Sequence, residues 1–301
     1  MSIGECWIAG HMGNQKNPYQ QALQRVAGIV REEGRLEILH SGAAGDEASM
    51  LSRLRENSLQ AMVGTAACLH PICPEVSLCD FPFLFSSREH FYRSCDEVLR
   101  PVLTERLLEK DIRLLCIMEG GWRDIFNSRH PVTEPEDLRG LRMRTMDNPV
   151  HQATMTALGA EALVLSTAES YEALKNGDID GGDRAASNYM DYGYHRIAPY
   201  YCKIGVFMIA SYLLVSEKWF RSLGAQGRQL LLSMSGEIAV AERRNYREAD
   251  DAALAALEKE AVTITLGNRA AFRQATEKVW SQFLPAPCGA DLLEKIRRLD
   301  V

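Results

Sequence analysis

The stretch "LRGLRMRTMDNPVHQ", residues 138–152, decides the fold. Leu141, Met143 and Thr145 alternate with Arg142 and Arg144, the two-residue period of a strand with one buried face. Asn148 followed by Pro149 reads as a helix start. The asparagine caps, and the proline takes the first helical position, where its missing N–H costs nothing. A strand running straight into a helix is the unit of an α/β protein. Arg144 stands at that junction, and a guanidinium there calls for a reason.

Working outward, the same alternation recurs. "NPYQQALQRVAGIVREEG" has a cap at Asn17, a proline in the first turn, apolar Leu23, Val26 and Val30, and a glycine stop. "RLEILH" follows as a strand, "GDEASMLSRLREN" as a helix and "LQAMVG" as a strand. "SSREHFYRSCDEVLRPVLTERLLEK" reads as largely helical and "IRLLCIM" as a strand ending before Gly120 and Gly121. After the glycines come a strand over 141–145, a helix over 149–158, a strand over 161–165, a helix over 168–176, and then "DIDGGDR". "AQGRQLLLSMSGEIAVAERRNYREADDAALAALEKEA" is helical for much longer than a typical element. No linker separates the halves. The pattern predicts two α/β lobes, each a mostly parallel sheet flanked by helices, with a cleft between them and one long helix spanning both.

Composition narrows the partners. The 301 residues are 46% hydrophobic and 25% charged, ordinary for a globular chain with a core. A net charge of −6 without a compensating basic run argues against nucleic acid. No apolar run reaches the roughly 18 residues of a membrane span, so no direct membrane insertion is expected. The start "MSIGECWIAGHMG" lacks the basic, then apolar, pattern of a signal peptide. Either the chain works in the cytosol or a leader has been cleaved. Among the eight cysteines, Cys68, Cys73 and Cys79 lie near His70. Zinc binding is one reading, without the standard paired spacing, and structural thiols or a local disulfide are the others. No metal and no cofactor are expected.

Searching for catalytic motifs turns up no nucleophile elbow, phosphate loop, dinucleotide fingerprint or H-E-x-x-H. What the chain offers is arginine beside glycine-rich turns: Arg123 in "EGGWRD", Arg144 in "RMRTMDNP" and Arg184 in "DGGDRAAS". A guanidinium matches a carboxylate or phosphate with two parallel hydrogen bonds, and the helix start at Pro149 would assist with unpaired N–H donors. For any one of the three alone, a surface ion pair is the better explanation. Together they point to an anion-binding cleft.

"PEVSLCDFPFLFSSREHF", "LLCIMEGGWRDIFNSRHPVTEPEDLRGLRMRT" and "LGAEALVLSTAESYEALKNGDIDGGDR" occur in that order. In this the chain resembles the DctP-type family, the extracytoplasmic substrate-binding proteins of tripartite ATP-independent periplasmic (TRAP) transporters. The likeness runs from about residue 15 to residue 283, with "LLVSEKWFRSL" and the long helix in their expected places. Each motif is weak alone, and the ordered set is specific.

The resemblance implies a periplasmic-binding-protein-like clamp that closes on an organic acid and delivers it to membrane permease subunits. It implies a periplasmic location, with the leader already removed, and no enzymatic activity. One lobe would comprise residues 1–121 and 211–249, the other 122–210 and 250–301, with hinges near Gly120–Gly121 and Ser211. The family's carboxylate-gripping arginine falls on Arg144, and its arginine after the glycine pair on Arg123. Further contacts fall on His11, Glu47 and Thr65, and less securely on Asp147, Asn148, Thr167 and Ser211. Trp122 is either cleft wall or core, and Glu47 and Asp147 are also natural helix caps. One departure stands out: where the family reads "DGQENP" this chain reads "DGGDRA", placing Gly182, Asp183 and Arg184 where Gln, Glu and a ligand-touching Asn usually stand. Arg184 either points into the cleft as a further cation or pairs locally with Asp180 or Asp183. An enzyme acting on an organic acid and a stand-alone ligand sensor are the competing functions.

Overall fold

The computed structural model describes residues 5–300. β1 (Glu5–Gly10), α1 (Pro18–Val30), β2 (Gly34–Leu39), α2 (Glu47–Glu56) and β3 (Ala61–Thr65) alternate as the periodicity predicts. Asn17 caps α1 by accepting from the Tyr19 N–H, and Asp46 caps α2 through the Ser49 N–H. A short helix, α3 (Ala66–Leu69), leads into a 3-10 turn at Pro74–Asp80. α4 (Arg88–Arg93), a π turn at Ser94–Leu99 and α5 (Arg100–Leu108) make up the expected helical run.

β4 (Ile112–Asn127) is longer than its sequence suggests, continuing through the glycine pair that was expected to end it. β5 (Arg142–Thr145), α6 (Pro149–Ala157), β6 (Glu161–Val164) and α7 (Thr167–Asn176) follow within a residue or two of expectation. β7 (Gly181–Arg184) and α8 (Ala186–Asp191) lead to β8 (Tyr200–Ser216), a 17-residue strand that pairs antiparallel with β4 along its length. Between Glu119 and Trp122 the β4–β8 register slips, which is how the strand absorbs Gly120 and Gly121. Gly121 sits at φ +98°, where a Cβ would lie 2.6 Å from the Ala185 Cβ. Only glycine suits both demands.

The remaining elements are α9 (Glu217–Ser222), α10 (Ala225–Leu257), β9 (Thr263–Leu266), α11 (Arg269–Phe283) and α12 (Gly289–Arg298). The sheet runs β2-β1-β3-β8-β4-β7-β5-β6, with β9 beside the start of β8. β1–β3 and β5–β7 pair in parallel within their groups, whereas β4 and β8 are antiparallel to each other, so the sheet is mixed. The start of β4 and the end of β8 lie with β1–β3; their other halves lie with β5–β7.

The chain is therefore a two-lobed α/β protein whose lobes share their central strand pair. Four hydrophobic clusters cover it, two on the β1–β3 side and two on the β5–β7 side. Trp7 and Trp219 meet edge to face at 5.3 Å in one of them. α10, 33 residues long, spans the two groups. Near its middle Arg243 forks onto Asp96 at 2.7 and 2.8 Å, and one turn onward Tyr246 accepts from Asn188 of α8 at 3.0 Å. No helix is long and apolar enough to cross a membrane among the described residues.

Candidate functional site

Parallel strands joined by helices leave a crevice at their carboxyl ends, where loops and helix starts face an open space. Here a cleft of about 470 Å³ opens at that edge in both strand groups. Its first wall comes from Met12 after β1, Tyr19 in α1, Glu47 opening α2 and Thr65 closing β3. The second wall comes from Arg123 on β4, Arg144 on β5, residues 164–167 leading from β6 into α7, and Arg184 on β7. Gly120, Ile209 and Tyr246 form the floor between them.

The three arginines meet here, each in a different state. Arg123 donates from Nε to the Asp183 carboxylate and from Nη2 to the Asp183 carbonyl. The Asp183 carboxyl lies below the ordinary range even though burial acts to raise it, because Arg123 stands beside it. Arg144, 6% exposed, donates from Nε to the Leu165 carbonyl at 2.8 Å, and its buried Nη1 has no partner. Burial pushes its pKa down to about 9, with the charges of Arg184 and Arg123 adding to the effect, and it remains cationic at neutral pH. Arg184, 5% exposed, donates to the Tyr194 hydroxyl at 3.1 Å and lies over the rings of Tyr194 and Tyr192 at 4.9 and 5.4 Å.

Local ion pairing does not account for Arg184. Asp183 belongs to Arg123, and Asp180 pairs with Arg142 and Arg129. Opposite the arginines, the Glu47 carboxylate accepts from the Thr65 hydroxyl at 2.6 Å and the Thr65 N–H at 3.2 Å. Burial raises the Glu47 pKa against those hydrogen bonds.

Of the residues singled out in the sequence, Arg144, Arg123, Arg184, Glu47, Thr65, Asp147 and Thr167 line this cleft. Asp147 is exposed at its lip. His11, Asn148 and Ser211 are buried just behind it. The His11 Nε2 meets Gln20 at 2.9 Å, and the Ser211 hydroxyl meets that of Tyr19. Asn148 caps α6 through the Val150 and His151 N–H groups and donates to Asp80 at 2.8 Å. The expectation that the start of α6 would offer its N–H groups to an anion is thus corrected, because Asn148 has taken them.

Trp122 lies elsewhere. Alternation along β4 turns it away from Arg123, into a separate cavity of about 350 Å³ between Arg88 and Arg269. The cysteines flanking His70 do not converge: Cys68 donates to the Thr65 carbonyl and Cys73 to Glu75. All eight cysteines are free thiols.

Sequence reasoning missed Tyr19, Asn188, Tyr192 and Tyr246, all at the cleft. Tyr19 carried a signal, since it follows the Asn17–Pro18 helix start. Tyr246 carried none, being one position on a long helix whose rotation the sequence leaves open.

The model of the DctP family, bacterial extracellular solute-binding protein family 7, matches residues 9–285. A solute-binding protein of Chromohalobacter salexigens is 26% identical over 285 residues, covering 93% of this chain and 85% of its own. The 2,3-diketo-L-gulonate-binding periplasmic protein of Escherichia coli is 25% identical over 294 residues, covering 95% and 90%. A crystal structure of a TRAP periplasmic solute-binding protein from Chromohalobacter salexigens with bound D-glucuronate superposes with a TM-score of 0.92 at 24% identity, covering 97% of this chain and 99% of that one.

Proposed function

We propose that this chain, which belongs to the DctP family of bacterial extracellular solute-binding proteins, binds an organic-acid anion in its cleft and hands it to the permease subunits of a TRAP transporter in the periplasm. One observation carries the ligand class: the Arg144 guanidinium is buried in the cleft with Nη1 unpartnered. A buried, uncompensated cation facing a cavity is costly unless a ligand anion completes it. The relatives add direction, since the E. coli protein is named for a sugar-acid derivative and the superposed structure holds D-glucuronate. A hydroxylated acid fits the rest of the wall, because Glu47, Thr65 and Asn188 offer hydrogen bonds to hydroxyl groups.

Closure is part of the reading. One moving body comprises residues 1–121 and 211–249, the other 122–210 and 250–301, with the hinge where Gly120–Gly121 and Ser211 lie on the shared strands. α12 modifies this division. Its Leu292 and Ile296 share a cluster with Phe91 and Leu99, and the His90 Nε2 donates to the Ile296 carbonyl at 2.8 Å, so it travels with the first body. Closing desolvates the ion pair at Arg144 and thereby strengthens it. Such a device carries out no chemistry, so the ligand leaves unchanged.

A thermal-shift screen against organic acids tests this. A ligand at a hundred times its Kd adds about 2.7 kcal/mol, and mass spectrometry of the recovered ligand separates binding from turnover. No shift with any acid would overturn the reading, and a converted ligand would favour the enzyme.

A further inference from the structure

We propose that Arg184 is a specificity-determining residue that reads a second negative charge, so that this cleft prefers dianionic acids over monoanionic ones. This rests on the reading of the cleft as an organic-acid site and goes beyond it by fixing the charge of the ligand.

The charges on the arginine-bearing wall of the cleft do not balance. Arg123 is neutralised by Asp183. Arg144 and Arg184 are both buried, and neither has an acidic partner among the described residues. Every nearby acid is engaged or remote from them. Asp180 holds Arg142 and Arg129. Asp124, opposite Arg184 in the β4–β7 register, accepts from the Tyr201 hydroxyl at 2.9 Å and from the Ile204 and Gly205 N–H groups at 2.8 and 2.7 Å. Asp147 is exposed to solvent at the lip. Glu47 stands on the other wall, held by Thr65. One ligand carboxylate could complete one of the two guanidiniums and would leave the other desolvated.

Strand register sets the two side by side. Arg144 on β5 pairs with Gly182 on β7, and Arg184 lies two residues further along β7 on the same face. Gly182 puts no side chain between them, although a Cβ there would fit with a snug 3.3 Å approach to the Arg144 carbonyl oxygen. Tyr192 and Tyr194 hold the Arg184 guanidinium by their ring faces, which fixes its position without cancelling its charge. The depressed pKa of Arg144, owed first to burial and next to Arg184, records the repulsion that a dianion would relieve. A bidentate fork at each position suits two carboxylates on a short hydroxylated chain.

Calorimetry with matched pairs tests this: D-gluconate against D-glucarate, and butyrate against succinate. The protein is expected to bind the diacid of a pair about tenfold or more tightly. Arg184→Gln is expected to lose far more affinity for the diacid than for the monoacid, collapsing the ratio, with Arg184→Lys retaining part of it. A wild-type protein that binds the monoacids as tightly as the diacids overturns the proposal while leaving the anion reading intact. So does an Arg184→Gln variant that keeps the ratio. Should that variant fail to fold, the wild-type pairs still decide. If no member of either pair binds, and the wider acid screen is also silent, the anion reading itself fails and this proposal with it.

Discussion

Asp183 holds Arg123 twice, through its carboxylate and through its backbone carbonyl, and so withdraws one of the three cleft arginines from competition for a ligand. Arg144 keeps Nη1 free because its neighbour on the chain side is the Leu165 carbonyl, a neutral acceptor that engages Nε alone. On the proposed reading Arg123 is structural and Arg144 receives the ligand.

Arg144→Ala is therefore expected to weaken ligand binding by about a hundredfold or more, since truncating one partner of a buried charge pair costs several kcal/mol. The unliganded variant should melt no lower than wild type, because the lost group is an uncompensated buried charge and Met143 still anchors β5 in the core. Arg144→Lys should recover only part of the affinity, an ammonium being unable to supply the fork. Calorimetry and thermal unfolding of the two variants check this; an alanine variant within about threefold of wild type would remove Arg144 from the ligand.

Lobe closure gives a second expectation. Small-angle scattering should show a smaller radius of gyration with a verified ligand than without it. An unchanged radius would mean a cleft already closed before the ligand arrives.

The glycine at the crossing gives a third. Gly121→Val forces a β-branched residue into φ +98° against Ala185 and Tyr246, and is expected to cost about 3 kcal/mol or more in denaturant unfolding. A loss below about 0.5 kcal/mol would mean the bulge relaxes freely.

Legibility tracked locality. α1 and α6 were readable because their caps, Asn17 and Asn148, lie next to the turns they cap, whereas the cap of α2 is Asp46 and not Glu47. Arg123, Arg144 and Arg184 were readable because each stands beside a glycine or a helix start. The far halves of β4 and β8 were not, since Gly120–Gly121 is the usual signature of a strand end, and only the partner strand shows that it is a bulge. Trp122 was left between wall and core for the same reason: which face of a strand points to the cleft depends on pairing across more than 80 residues, as with Met208. Asn148 looked like an invitation to an anion, and Asp80, 68 residues away, is what fixes it as a cap.

Asp180 supports the cleft from below and should make the fold sensitive to acid. It accepts from the Arg142 N–H at 2.9 Å, from the Arg142 Nε at 3.1 Å and from the Arg129 Nε at 2.7 Å, at the start of the strand that carries Arg144. Burial acts to raise its pKa, but the hydrogen bonds and charges of Arg142 and Arg129 outweigh it and bring the value from 3.8 down to about 2. A carboxyl whose pKa is lower folded than unfolded stabilises the fold above the unfolded value, and that contribution is lost as pH falls through the folded one. Asp180→Asn should thus cost roughly 2 kcal/mol at neutral pH, the range for hydrogen bonds to a charged group. The gap to wild type should begin to close below 3.8 and be nearly gone at about 2. Denaturant unfolding of both proteins across that window measures it. A gap that stays constant down to the lower end would mean that the charge on Asp180 is not what holds β5 in place.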